Sequence, residues 1–124
     1  MKEFKEKAKD FFTIGKISQE LKKFDVACSN YFNSLAAISD YLLAQKNLFA
    51  KDHFSRFNLL KETFPEIYKT SSSLYLIYRK TYTKQVDKKE TEYLYKKVKE
   101  VFENARVKIP SNKEIEDAIK KVFR

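Results

Sequence analysis

The sequence predicts an all-α protein, a single bundle of helices spanning residues 1–124. Three observations carry that expectation. Apolar residues recur at three- and four-residue spacing through most of the chain, as they do in helices that bury one face. One glycine and two prolines leave little with which to build the tight turns of a hairpin-rich β protein. At 124 residues, 43% hydrophobic and 35% charged, the chain can bury one ordinary core and is too apolar to be disordered.

The first helix is expected from Glu3 to about Lys23, with Phe4, Ala8, Phe11, Ile14, Ile17 (or Ser18) and Leu21 on its buried stripe. Gly15 reads as a weak point in it, costing about 1 kcal/mol relative to alanine. Between Asp25 and Gln45 the helical signal is strongest. Phe24, Cys28, Tyr31, Leu35, Ile38 and Leu42 form one row, and Phe32, Ala36, Ser39 and Leu43 a second beside it. Two adjacent rows imply burial over a wide arc, hence a central helix. Asn30, Asn33 and Asp40 fall on the remaining arc.

Asp52 is placed to cap a short helix running through Phe64. Pro65 suits the first turn of the next helix, where its missing N–H would have had no partner. That next segment, "LYLIYRKTYT", is the one local conflict, since its aromatic and β-branched residues favour a strand. No other segment offers a strand to pair with, so a helix is expected there, with Tyr75, Tyr78, Arg79 and Tyr82 on one face. Asp87 with Glu90, and Ser111 with Glu114, have capping-box spacing and open helices at about 88–106 and 112–123. Leu94, Val98, Val101 and Ala105 supply the buried stripe of the first; Ile115, Ala118, Ile119 and Val122 supply that of the second.

Much chemistry is excluded by composition. Cys28 is the only cysteine and His53 the only histidine, which rules out an intramolecular disulfide, a cysteine zinc site and a two-histidine metal site within one chain. No glycine-rich phosphate loop or nucleophile elbow occurs. No metal and no cofactor is therefore expected. His53 lies beside Asp52 in what reads as a polar loop, as an exposed or capping residue, and Cys28 falls on a core stripe as a small hydrophobe. No window approaches 18 apolar residues and the amino-terminal stretch lacks an apolar signal core, so the expected location is cytoplasmic, with no membrane partner.

The formal net charge is +9, a field that attracts phosphates, anionic lipid or acidic protein surfaces. Most of the basic residues are lysines, which also suit a plain solvated surface. The charge is uneven, however. Between Arg79 and Lys99, eight basic residues meet only Asp87, Glu90 and Glu92, with Tyr75, Tyr78, Tyr82, Tyr93 and Tyr95 in or next to the run. Cations for phosphates and aromatic faces for bases are what single-stranded nucleic acid binding needs. The competing reading is a bundle corner where tyrosines bury their rings and lysines extend to water.

Two motifs carry a resemblance to a known family. "FDVACSNYFNSLAAISDYLL", Phe24 to Leu43, is similar to the second helix of the HEPN family of small prokaryotic helical proteins, with Asp25, Tyr31, Phe32 and Ala36–Ala37 at its acidic, aromatic and small positions. "LYLIYRKTYTK", Leu74 to Lys84, resembles that family's fourth helix, apolar and then arginine. The likeness covers about residues 5–107. It implies an up-and-down bundle of four to five helices, here with a short extra C-terminal helix, that dimerises through its second and fourth helices. In the ribonuclease members an arginine on the fourth helix is followed four to six residues later by a histidine. Arg79 fits the arginine, but Lys84, Gln85 and Val86 follow it and none is histidine. Cleavage by the 2′-hydroxyl needs a group that exchanges protons near neutral pH, whereas lysine holds a phosphate as a point charge.

The resemblance therefore implies a homodimeric nucleotide- or RNA-binding module without full ribonuclease activity. Arg79, Lys80 and Lys84 would contact phosphate, with Asn30 and Asn33 in the same cleft. Tyr31, Tyr75, Tyr78 and Tyr82 would form a stacking or dimer face. A small nucleotidyltransferase is the implied protein partner, in a toxin–antitoxin-like pair. The alternatives are a metal-independent endoribonuclease using Arg79 with His53, and a structural module whose tyrosine-rich faces bind another protein.

Overall fold

The computed structural model describes residues 2–122, apart from the side chain of Val122, whose expected place on the C-terminal stripe lies outside the described residues. Six helices follow one another: α1 (Lys2–Glu20), α2 (Phe24–Gln45), α3 (His53–Thr63), α4 (Pro65–Lys80), α5 (Lys88–Asn104) and α6 (Asn112–Val122). Among the described residues there is no strand. The all-α expectation holds, and the Pro65 segment is helical despite its strand-like composition.

The helix boundaries follow from local chemistry. Asp52 caps α3 and Asp87 caps α5, each accepting from the backbone N–H three residues on, with Ser55 and Glu90 closing the reciprocal half of a capping box. Ser111 and Glu114 do the same before α6, at 3.1 and 3.2 Å. Pro65 opens α4. α1, α2 and α5 end without glycine. Lys22, Asn47 and Arg106 take φ near +60° instead. The next N–H in each case reaches back five residues, to Ser18, Leu43 and Phe102, which satisfies a terminal carbonyl.

α2 is the central element, packed against α1, α3, α4 and α5. It buries Ala27, Cys28, Tyr31, Phe32, Ser34, Leu35, Ala37, Ile38, Ser39, Leu42 and Leu43, so both predicted rows point inward except Phe24 and Ala36, which are half-buried. Leu94, Val98, Val101 and Phe102 of α5 complete the core from the far side. Burial of Cys28 pushes its thiol up to about 11, so it stays a protonated filler beside the Thr91 hydroxyl at 3.4 Å.

α1 departs from its expected register. The buried face is Ala8, Phe12, Gly15 and Ser18, whereas Ile14 and Leu21 are 48% and 66% exposed. The reason is close packing. Small residues at 8, 15 and 18 let the α1 backbone approach α2, and Tyr31 of α2 lies directly over Gly15. Phe12 is the single large plug, with its ring 5.5 Å from Tyr31 and 5.4 Å from Phe102. The isoleucine stripe is turned outward.

Candidate nucleic-acid interface

The aromatic residues of α2 and α4 gather at one edge of the bundle. Phe32 of α2 stacks on Tyr78 of α4, with centroids 4.6 Å apart and planes 18° from parallel. Tyr75 joins from the preceding turn, 5.6 Å from Phe32, and Phe57 of α3 meets it edge-on at 5.3 Å. Tyr82 stands edge-on to Tyr78 at 5.5 Å, and their hydroxyls share a 2.7 Å hydrogen bond. Burial, and then that bond, push the Tyr78 phenol up to about 12, so it is neutral at any physiological pH.

α4 stops at Lys80 because the chain tightens there. Thr81, Tyr82 and Thr83 each bond three residues back, and the Thr81 hydroxyl donates to the Tyr78 carbonyl at 2.6 Å. Tyr82 and Lys84 therefore lie beyond the helix rather than on its last turn. With Asp25, Val26, Ser29, Asn33, Tyr78 and Thr81, Tyr82 lines a shallow cleft of about 380 Å³. Its ring is 72% exposed, the most accessible aromatic wall of the cleft. The Asp25 carboxylate accepts from the Val86 N–H at 2.7 Å and so ties down the α4–α5 connection.

The predicted residues separate into those this edge brings together and those it does not. Asn33, Tyr75, Tyr78 and Tyr82 belong to it. Arg79 and Lys84 are exposed in the same stretch and have no salt bridge among the described residues. Lys80 is held differently. Its ammonium donates to Glu90 at 2.6 Å, which holds its pKa above the usual lysine value and offsets its charge. Asn30 donates its amide to its own helix, at the Val26 carbonyl.

Tyr31 is a correction. It is fully buried between α1 and α5, with its hydroxyl donating to Gln19 at 2.5 Å, so its ring presents no face to a base or to a second chain. Desolvation in that position pushes its phenol far above the ordinary tyrosine value. The basic stretch is likewise divided. Tyr95 packs into the core against Phe12, while Tyr93 is exposed and Lys97 lies over its ring at 5.7 Å.

His53 is also corrected. It is the first residue of α3, half-buried against Phe32, Tyr75 and Tyr78 at 5.5–6.0 Å, rather than a free loop residue. Its Nδ1 lies 2.8 Å from Nη1 of Arg56. Arginine has donors only, so Nδ1 must accept, and the neutral ring carries its proton on Nε2. Burial, then the guanidinium, hold the imidazole below the usual histidine value. Arg56 in turn grips Asp40 of α2 with two bonds, 2.8 and 3.1 Å, at 13% and 16% side-chain exposure.

The sequence reading missed this Asp40–Arg56–His53 network. The available signal was His53 and Arg56 three apart on one short helix, in a chain whose cations are otherwise mostly lysine. The network pins the start of α3 to α2 and supports the aromatic cluster from below. Among the described residues, no three His, Cys, Asp or Glu side chains converge on a potential metal position, and no helix is long and apolar enough to cross a membrane. Compared with known proteins, the chain matches no family model, no curated protein and no solved structure.

Proposed function

We propose that this chain is an RNA- or nucleotide-binding helical module of HEPN type, without full ribonuclease activity. The observation that carries the reading is the exposed Tyr82 ring at the mouth of the α2–α4 cleft, in the same short stretch as two cations free of acidic partners among the described residues, Arg79 and Lys84. A base would stack on Tyr82, Asn33 and Ser29 would meet its polar edge, and the two cations would hold flanking phosphates. A homodimer through α2 and α4, as the resemblance implies, would bring two such clefts edge to edge. Pairing with a small nucleotidyltransferase belongs to the same proposal.

The ribonuclease alternative draws less support from the geometry. His53 bonds to Arg56, not Arg79, and its one free lone pair already accepts from that guanidinium. It has no basic nitrogen to offer a 2′-hydroxyl unless that bond breaks. The test is binding of a single-stranded RNA oligomer as salt is varied. Each lost phosphate contact lowers the slope of log affinity against log salt by about 0.7. Arg79→Ala with Lys84→Ala is expected to remove about two such contacts and Tyr82→Ala to weaken binding without altering the slope. Unchanged affinity in both variants, or none in the wild type at low salt, refutes the proposal.

A further inference from the structure

We infer that the ligand of the Tyr82 cleft is a single-stranded RNA of several nucleotides rather than a lone nucleotide. The strand leaves that cleft over Val26 and lays its phosphates on Lys22 and Lys23, in a second cleft at the α1–α2 turn. This rests on the reading of the Tyr82 cleft as a base-binding site. The second cleft, of about 340 Å³, is lined by Lys22, Lys23, Gln85 and Val86 together with Asp25 and Val26. The last two also line the Tyr82 cleft, so the two hollows share a wall. Val26 is 50% exposed on that wall and forms an apolar saddle between them. Both clefts sit at the end of the bundle where α1 and α4 finish and α2 and α5 begin. Asp25 bonded to the Val86 N–H, and the Ser29 and Thr81 hydroxyls 3.4 Å apart, draw these segments together.

Charge and spacing select a strand. Lys22 and Lys23 are exposed and have no salt bridge among the described residues. Their backbone is fixed: Lys22 takes φ 60°, and the Lys23 N–H donates to the Ser18 carbonyl at 2.8 Å. Lys84, also exposed and without a salt bridge among the described residues, lies in the chain between Tyr82 of one cleft and Gln85 of the other. Asp25 is the one acidic residue on either lining among the described residues, and its half-buried carboxylate already accepts from the Val86 N–H. Cations spread along such a path favour a ligand that carries a phosphate at every step. A lone nucleotide does not reach both ends. At 1.5 Å per residue, the stretch of α2 from Lys23 to Asn33 is about 15 Å long. That is about four nucleotides at the 3.4 Å spacing of stacked bases, and fewer in an extended strand. No residue of α4 lines the second cleft, so pairing of two chains through α2 and α4 need not cover it.

Calorimetric titration of the full chain with uridylate as a mononucleotide, dinucleotide, tetranucleotide and octanucleotide tests this. Affinity is expected to climb to the tetranucleotide and then to change little. Lys22→Asn with Lys23→Gln removes both charges at exposed positions, and asparagine tolerates the positive φ. At about 0.1 M salt this variant should bind the octanucleotide about tenfold more weakly or worse, a far larger loss than for the mononucleotide. Its salt slope should fall by about 1.4, two contacts at about 0.7 each. Lys22→Arg with Lys23→Arg should recover most of that loss, and Tyr82→Ala should weaken binding at every length. Octanucleotide binding that needs Tyr82 but ignores the loss of both lysines overturns this inference and leaves the Tyr82 cleft standing. A mononucleotide bound as tightly as the octanucleotide does the same. No octanucleotide binding by the wild type at low salt overturns both.

Discussion

Gly15→Ala sets two opposed effects against each other. By helix propensity alone the change should stabilise α1 by about 1 kcal/mol, since glycine is the poorest non-proline residue in a helix interior. The tertiary contact says otherwise. A Cβ at position 15 would lie 2.7 Å from Cδ1 and 2.8 Å from Cε1 of Tyr31. Comfortable carbon–carbon contact is about 3.5–4.0 Å, so the overlap approaches 1 Å. The ring has nowhere to go: Tyr31 is fully buried, with Phe12 and Tyr95 at 5.5 and 5.8 Å and its hydroxyl held by Gln19. Relief must come from moving α1 off α2, the helix against which it buries Ala8, Phe12 and Ser18. Overpacking of this kind costs about 1–3 kcal/mol, and an overlap this large belongs at the upper end. Net destabilisation of about 2 kcal/mol is expected, read as a fall in Tm of roughly 6–12 °C for a domain of this size. Thermal melts by circular dichroism measure it, and a double-mutant cycle with Tyr31→Val, which removes the two offending ring atoms, should show favourable coupling. A Gly15→Ala variant that melts at or above the wild-type temperature would refute the reasoning.

Two further outcomes follow from the polar network at the start of α3. Asp40→Asn leaves the Arg56 guanidinium largely buried without its carboxylate, which should destabilise by about 3 kcal/mol in urea unfolding, whereas replacing both residues with leucine should restore most of that loss. His53 makes stability depend on pH: its folded pKa is depressed, so below the unfolded value of 6.5 the unfolded chain binds a proton that the folded chain resists. Stability from this residue is thus complete above that pH and declines as pH falls toward the folded pKa, and His53→Phe should flatten that part of the curve; an unchanged curve in the variant counts against the assignment.

Several features could be read directly because they depend on neighbours in the chain. The Asp52–Ser55, Asp87–Glu90 and Ser111–Glu114 caps act over three residues, and the sequence placed the starts of α3, α5 and α6 by them, though the Ser55 half of the first cap was not foreseen. The two rows of α2 announced a helix buried over a wide arc. Cleft residues were legible in part. Tyr78, Tyr82, Arg79 and Lys84 stand out by composition, and the apolar row of α2 already contained Tyr31, which packs into the core; only the family resemblance set it on a stacking or dimer face. Lys80 reads like Lys84 until Glu90 from another helix is brought to its ammonium.

The sequence by itself determined that this chain is helical, where its helices begin and that α2 lies at the centre, because periodicity and capping are properties of a short stretch. Only the tertiary structure decided which of two neighbouring stripes α1 buries, since that rests on Gly15 meeting a ring sixteen residues away. The same holds for His53, whose protonation and partners are set by Arg56, Asp40 and the aromatic residues of two other helices. Apolar spacing shows that a helix has a buried face, whereas the depth of approach between backbones, fixed by the smallest residues, chooses which face it is.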